Sequence, residues 1–263
     1  NMESSRQAET TRNLTPEAVW RHFSAISAIP RCSKKEQGVR EYVIQSAEQL
    51  GLEHAQDSVG NVVVRRPASP GKADAPSIAL QGHMDMVCEK NQATKHDFES
   101  DPIRLVRDGD WLAADGTTLG ADNGIAVAMM LAVLESEHEL GPVECLFTVD
   151  EESGLTGALG MDPTLLKSRA LINLDSEEEG FFCIGCAGGV NTYGTLDVVL
   201  EQPPADTQAL QLAVRGLRGG HSGANIHEGR ANSLVIGARL LKAFINADTS
   251  GNRVWLGAIS GGD

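Results

Sequence analysis

Residues 124–137 (GIAVAMMLAVLESE) have the length and composition of a helix and are apolar nearly all round. A helix with that surface is stable only when covered on more than one side, so it must pack against a sheet. Three short apolar runs bounded by turn residues, at 77–81, 143–149 and 170–174, supply the strands. Strands alternating with helices specify an α/β domain with a largely parallel sheet flanked by helices.

The flanking segments extend that plan. Thr15-Pro16 followed by Val19, Phe23 and Ile26 predicts a first amphipathic helix. Ser33 and Glu36 have the spacing of a capping box ahead of a second, whose apolar stripe is Val39, Tyr42, Val43, Ala47 and Leu50 and whose stop is Gly51. Two short β segments flank Gly60-Asn61. Residues 1–13 are polar, lack apolar periodicity and read as a disordered tail. Beyond a proline-containing polar stretch at 201–206, a strand at 209–214, a helix at 232–245 and a strand at 253–259 mark the start of a second domain.

Charge narrows the function classes. The 22 Lys and Arg against 36 Asp and Glu give a net charge of −14, which excludes nucleic-acid binding by generic phosphate neutralisation. No apolar run reaches the roughly 18 residues of a membrane-spanning helix, and no basic-then-apolar segment opens the chain. A cytoplasmic protein with no nucleic-acid or membrane partner is expected. Five cysteines, at 32, 88, 145, 183 and 186, are scattered and odd in number, so reduced thiols are expected. Cys183 and Cys186 form a CxxC without a second one, and read as buried structural thiols near a strand.

Four motifs carry the candidate chemistry. In Gly82-His83-Met84-Asp85-Met86-Val87, an extended backbone puts His83 and Asp85 on one face. A carboxylate beside an imidazole fixes its tautomer and leaves the other ring nitrogen for a metal. In Leu119-Gly120-Ala121-Asp122-Asn123-Gly124 a carboxylate stands at the entry to the apolar helix, where α/β folds bind ligands, although a helix N-cap has the same look. The run at 143–149 ends in Asp150-Glu151-Glu152, whose like charges repel unless a cation or water compensates. Asp175 follows the strand at 170–174, and the acids after it read as a solvated loop. A fifth, glycine-rich motif at 219–224 (GGHSGA) adds His221. Asp108, Asp110 and Asp115 do not complete a calcium loop, because Leu112 falls where an oxygen ligand belongs. The four strand-end motifs together offer one histidine and several carboxylates, a donor set that suits a binuclear zinc or manganese centre.

The ordered set GHMDMV, LGADNG, VDEESG and INLDSEE resembles the co-catalytic metallopeptidases that include aminoacylase, glutamate carboxypeptidase and carnosinase, and within them the Xaa-His dipeptidases. The resemblance runs from about Leu14 onward and spans roughly the first half of a typical family chain. It implies two divalent metal ions, zinc first and manganese or cobalt next. His83 and Asp175 would hold one ion and Glu152 the other, with Asp122 bridging them. Asp85 would orient His83, Glu151 would be the general base, and His221 would polarise the scissile carbonyl. A cis peptide is implied at Asp122-Asn123, and a last histidine ligand beyond Asp263, for which His227 is not placed to substitute. The implied reaction is metal-dependent hydrolysis of small dipeptides of the Xaa-His, carnosine-like type. The alternatives are a related N-acyl amino acid deacylase, or a non-catalytic fragment acting only in dimerisation. The implied organisation is a catalytic α/β domain at 14–205, incomplete without a C-terminal return, then the start of a lid or dimerisation domain at 206–263, with a homodimer in the intact enzyme.

Overall fold

The computed structural model describes residues 9–176, 180–185, 192–199, 201–220, 225–247 and 254–261. The chain divides into two compact units, Asn1–Cys186 and Ala187–Asp263, a division earlier than the expected one at 205.

The first unit opens with α1 (Glu17–Ser27), which starts after Pro16 and buries Phe23 and Ile26 at the predicted helical spacing. Proline suits that entrance because its φ is already helical or extended and it has no N–H to leave unpaired. α2 (Gln37–Gln49) buries Val39, Val43 and Ala47. Next come β1 (Glu53–Gln56) and β2 (Val62–Arg66), an antiparallel hairpin about Gly60-Asn61. β3 (Ile78–His83) precedes a separate two-stranded hairpin, β4 (Leu105–Asp108) and β5 (Trp111–Ala114), which the apolar pattern does not announce. Then follow α3 (Ala121–Glu135), β6 (Val143–Thr148), the single turn α4 (Thr156–Leu159) and β7 (Ala170–Asn173). No described helix is long and apolar enough to cross a membrane.

The main sheet has the order β1-β2-β6-β3-β7. β6, β3 and β7 are parallel, and the β1–β2 hairpin continues the sheet antiparallel from the β6 side. The α/β plan read from the sequence holds, with the sheet mixed. β2 shows the strand period of two: Val62 and Val64 enter the core with Val127 and Phe147, while Val63 joins Leu146 and Leu165 in a second cluster. α3 packs against both β3 and α1, which explains its all-round apolar surface.

Parallel strands end on the same side. β3, β6 and β7 therefore deliver the chain at His83, Thr148 and Asn173 to one end of the sheet. The ladder runs one step further, with the Met84 N–H donating to Thr148 O at 2.8 Å and the Leu174 N–H to Gln81 O at 2.9 Å.

Several expectations are corrected. The Ser33–Glu36 capping box does not form; no side chain caps α2. Both side chains are drawn elsewhere: Ser33 Oγ donates to Asp85 Oδ2 at 2.7 Å, and Glu36 Oε1 accepts the N–H groups of Lys34 and Asp150. The thiols are not all reduced. Cys32 and Cys88 form a disulfide, their Cα atoms 5.7 Å apart, because Cys32 pairs in a parallel bridge with Met86; separation along the chain does not report distance in space. Cys183 is exposed rather than buried, and Cys186 lies outside the described residues. Of the expected tail, residues 9–13 fold into a turn that buries Thr11.

In the second unit, a short turn (Ile226–Glu228) and helix α5 (Ser233–Ala247) form, the latter where helical spacing predicts. The strands expected at 209–214 and 253–259 do not form among the described residues. A strand exists only through a hydrogen-bonded neighbour. Without one, Leu210, Leu212, Val254, Leu256 and Ile259 remain exposed.

Candidate metal centre

Past the end of β3 the chain bends at Met84 instead of staying extended; His83 and Asp85 nevertheless meet, and Met84 and Met86 enter the core. His83 Nδ1 donates to Asp85 Oδ1 at 3.2 Å, and both side chains are buried. The other ring nitrogen, Nε2, faces a group of acids. It lies 3.0 Å from Asp122 Oδ1, 3.8 Å from Asp175 Oδ1 and 3.9 Å from Glu151 Oε2. Two overlapping sets share His83, one with Glu151 and Asp175 and one with Asp122 and Glu152; within each set the potential ligand atoms all lie within 4.8 Å of one another. The ends of β3, β6 and β7 and the entry to α3 thus meet at one place.

Local backbone explains each placement. Asp122 is not a helix cap: Gly120 holds that position, no side-chain cap bond is made, and Asp122 and Asn123 are non-helical about a cis peptide. The regular helix begins at Gly124, leaving the Asp122 carboxylate beside His83. The three acids after β6 separate. Asp150 is buried with left-handed backbone, and its carboxylate accepts the hydroxyls of Ser153 and Thr156, each at 2.5 Å. Glu151 and Glu152 remain with the His83 group.

Asp85 does more than hold His83. Its oxygens also accept the N–H of Glu151 at 3.0 Å, the N–H of Glu152 at 3.1 Å and the Ser33 hydroxyl. Three further positions are not singled out by the sequence. Asn123 accepts the His83 N–H at 3.1 Å and donates to Leu174 O and Asp175 Oδ1, tying β3 to β7. Asn61, which reads only as a hairpin residue, accepts the Val149 N–H at 3.1 Å. Arg31 is buried and donates to the carbonyls of Met84 and Asp85. The Gly60-Asn61 and Ser33–Glu36 signals touch this layer too, but each has a simpler local meaning. His221 and residues 177–179 lie outside the described residues; His227 is exposed in the second unit.

The electrostatics separate the groups. Burial opposes a charge on His83, but its hydrogen bonds to Asp122 and Asp85 and the nearby carboxylates prevail and raise its pKa to about 10. Burial and the charge of Asp122 push Glu152 up to about 7. Burial likewise pushes Asp175 to about 6, with Asp122 and Glu151 adding to it against the His83 charge. For Asp85 burial acts upward too, yet hydrogen bonds from His83, Glu151 and Ser33 hold it at about 2. The acids around Nε2 are crowded beyond what one imidazolium balances. One imidazole nitrogen with several carboxylate oxygens is a donor set that fits divalent cations.

Residues 79–247 match the profile of Peptidase family M20/M25/M40. The cytosol non-specific dipeptidase of Escherichia coli (strain K12) is 44% identical over 229 residues, which are 87% of this chain and 47% of that protein. The crystal structure of aminoacylhistidine dipeptidase from Vibrio alginolyticus is similar with a TM-score of 0.64 and 38% identity, over 88% of this chain and 47% of that one. A tripeptidase from Staphylococcus aureus subsp. aureus Mu50 shares the fold, with a TM-score of 0.53 and 23% identity over 62% of this chain and 44% of that one. This chain spans about half the length of the first two relatives.

Proposed function

This chain belongs to peptidase family M20/M25/M40, and from that premise we propose that the acids around His83 hold two divalent metal ions and that the protein hydrolyses dipeptides. The observation that carries the reading is the pair of overlapping ligand sets about His83. As the family resemblance implies, His83 and Asp175 would hold one ion and Glu152 the other, with Asp122 serving both. The imidazole and carboxylate donors favour zinc, with manganese and cobalt next. Such ions supply Lewis acidity, which lowers the pKa of water and polarises a carbonyl.

The side chains do the rest. Asp85 keeps the proton of His83 on Nδ1 and so leaves Nε2 as the donor to metal. Through the Glu151 N–H it also sets where the base stands. Glu151 takes the proton of the attacking water and passes it to the departing amine. His221 polarises the scissile carbonyl in this reading, which rests on family resemblance alone.

The substrate class follows from relatives named as a non-specific dipeptidase and an aminoacylhistidine dipeptidase, so we place Xaa-His dipeptides first among the substrates. The name of the first relative also supports a cytoplasmic location. We read the first unit as catalytic and the second as the start of a lid through which two copies pair. In support, α5 leaves Leu240, Phe244 and Ile245 exposed.

The test is Glu151→Gln in the full-length protein. Turnover of Xaa-His dipeptides should fall about 100- to 10,000-fold, while elemental analysis still finds both metal ions. Turnover close to that of the unmodified protein would remove Glu151 from its role, and a metal-free native protein would remove the centre. A parallel panel of other dipeptides and N-acyl amino acids separates a dipeptidase from a deacylase.

A further inference from the structure

Arg31 heads the largest fully buried side chains of the described residues. It sits between α1 and α2, and its guanidinium reaches two segments of the site. Nη1 donates to Met84 O and to Asp85 O, each at 3.0 Å, and Nη2 donates to Gly120 O. One planar group thus joins the extension of β3, which carries His83 and Asp85, to the turn that carries Asp122.

The glycines of LGADNG have a second use here. A Cβ added to Gly120 would lie 2.4 Å from Nη2 and one added to Gly124 would lie 2.6 Å from it. Any side chain at either position would displace the guanidinium, so the two glycines form its socket. The arrangement is costly: Nε finds no hydrogen-bond partner among the described residues, and burial pulls the guanidinium down to about 10, against the charges of Asp85, Asp122 and Glu152. It remains charged at neutral pH. A lysine could not replace it, because a point charge has no fork with which to span three carbonyls on two segments.

We propose that Arg31, seated between Gly120 and Gly124, is a positioning residue of the metal centre that fixes the placement of Asp122 relative to His83. The inference rests on the metal-binding reading above. A binding constellation must be held within about 0.5 Å of its productive geometry, and outer partners of ligands typically alter metal affinity about 10- to 100-fold.

The experiment loads the full-length protein with Co(II) and records chelator competition, the visible absorption spectrum at saturation, and kcat and KM for a dipeptide. Arg31→Met should weaken Co(II) binding about 10- to 100-fold, alter the spectrum and lower kcat more than it raises KM. Arg31→Lys should keep the altered spectrum despite its restored charge. Gly124→Ala, which retains Arg31 but crowds Nη2, should shift the spectrum in the same direction, and it decides the question if Arg31→Met does not fold. Native affinity and spectrum in Gly124→Ala, or in a folded Arg31→Met, overturn the proposal, as does full rescue by lysine. Failure of the unmodified protein to bind Co(II) would instead defeat the metal reading beneath it.

Discussion

Glu36, Asp85 and Asp150 lie as close together as the acids around His83, with potential ligand atoms within 4.8 Å of one another, yet the two groups are provided for in opposite ways. Behind the site, every member is buried and met by donors. Asp85 receives two backbone N–H groups, a hydroxyl and an imidazole N–H; Asp150 receives two hydroxyls; Glu36 receives two backbone N–H groups. In front, the Glu152 carboxylate meets no hydrogen-bond donor among the described residues, while Asp175 receives the amide of Asn123 and Asp122 faces His83 Nε2 at 3.0 Å. The pKa values follow, with Asp85 held at about 2 and Glu152 pushed up to about 7. On the metal-binding reading, what sets the front acids apart is not their number but the lack of an N–H or O–H donor for Glu152 among the described residues. The rear group is already satisfied and acts as a frame.

The contrast breaks most visibly at Asp85. Asp85→Ala strands a buried imidazole, two N–H groups and a hydroxyl in one step. Removing one partner from such a buried network costs about 3–5 kcal/mol, so the melting temperature of the chelated protein should fall by about 6–20 °C at roughly 2–4 °C per kcal/mol. A loss under about 1 kcal/mol, read by calorimetry, would show that the rear acids do not hold the frame.

A second effect is read against pH, with and without metal. Glu152 and Asp175 have raised values, near 7 and 6, and His83 is raised to about 10. Each binds its proton more tightly folded than unfolded. The stability they contribute is complete at low pH and is lost as pH rises, through the carboxylate values first and then through that of His83. Asp85 works in reverse, and its contribution is lost as pH falls towards about 2. Chelated protein should therefore lose stability between about pH 5 and 9. Binding of a divalent ion displaces those protons, so the rise in melting temperature on adding zinc should be larger at about pH 8 than at about pH 5.5. An equal rise at both would mean that the front acids are not the ligands.

The same distinction explains what could be read from the sequence. His83, Glu151, Glu152 and Asp175 are legible because parallel strands deliver their ends to one side, where acids after an apolar run show as a break in pattern, and Asp122 because it stands at the entry to the apolar helix. Of the frame only Asp85, two residues from His83, is legible. Asn123, Asn61 and Arg31 act on backbone groups distant in sequence, and such bonds leave no period. Ser33 and Glu36 do carry a local signature, that of a capping box, and it misleads because Asp85 and the Asp150 N–H compete for the same side chains. The second unit fails differently. Alternation at 209–214 reports a face, and a face becomes a strand only beside a partner.

The smallest effect has the opposite sign and sharpens the contrast most. Glu152→Gln keeps the shape of the side chain and removes a charge that burial and Asp122 both disfavour. With no donor among the described residues to lose, the chelated variant should be as stable as the native protein or more stable by up to about 1 kcal/mol at neutral pH, the range for a solvent-screened charge interaction. On the metal-binding reading, metal content of the full-length protein should nevertheless fall by about one ion, because an amide oxygen is a poorer ligand than a carboxylate. If denaturant titration shows Glu152→Gln losing more than about 1 kcal/mol, the front acids are held by donors just as the rear ones are, and charge alone would no longer distinguish the site from its frame.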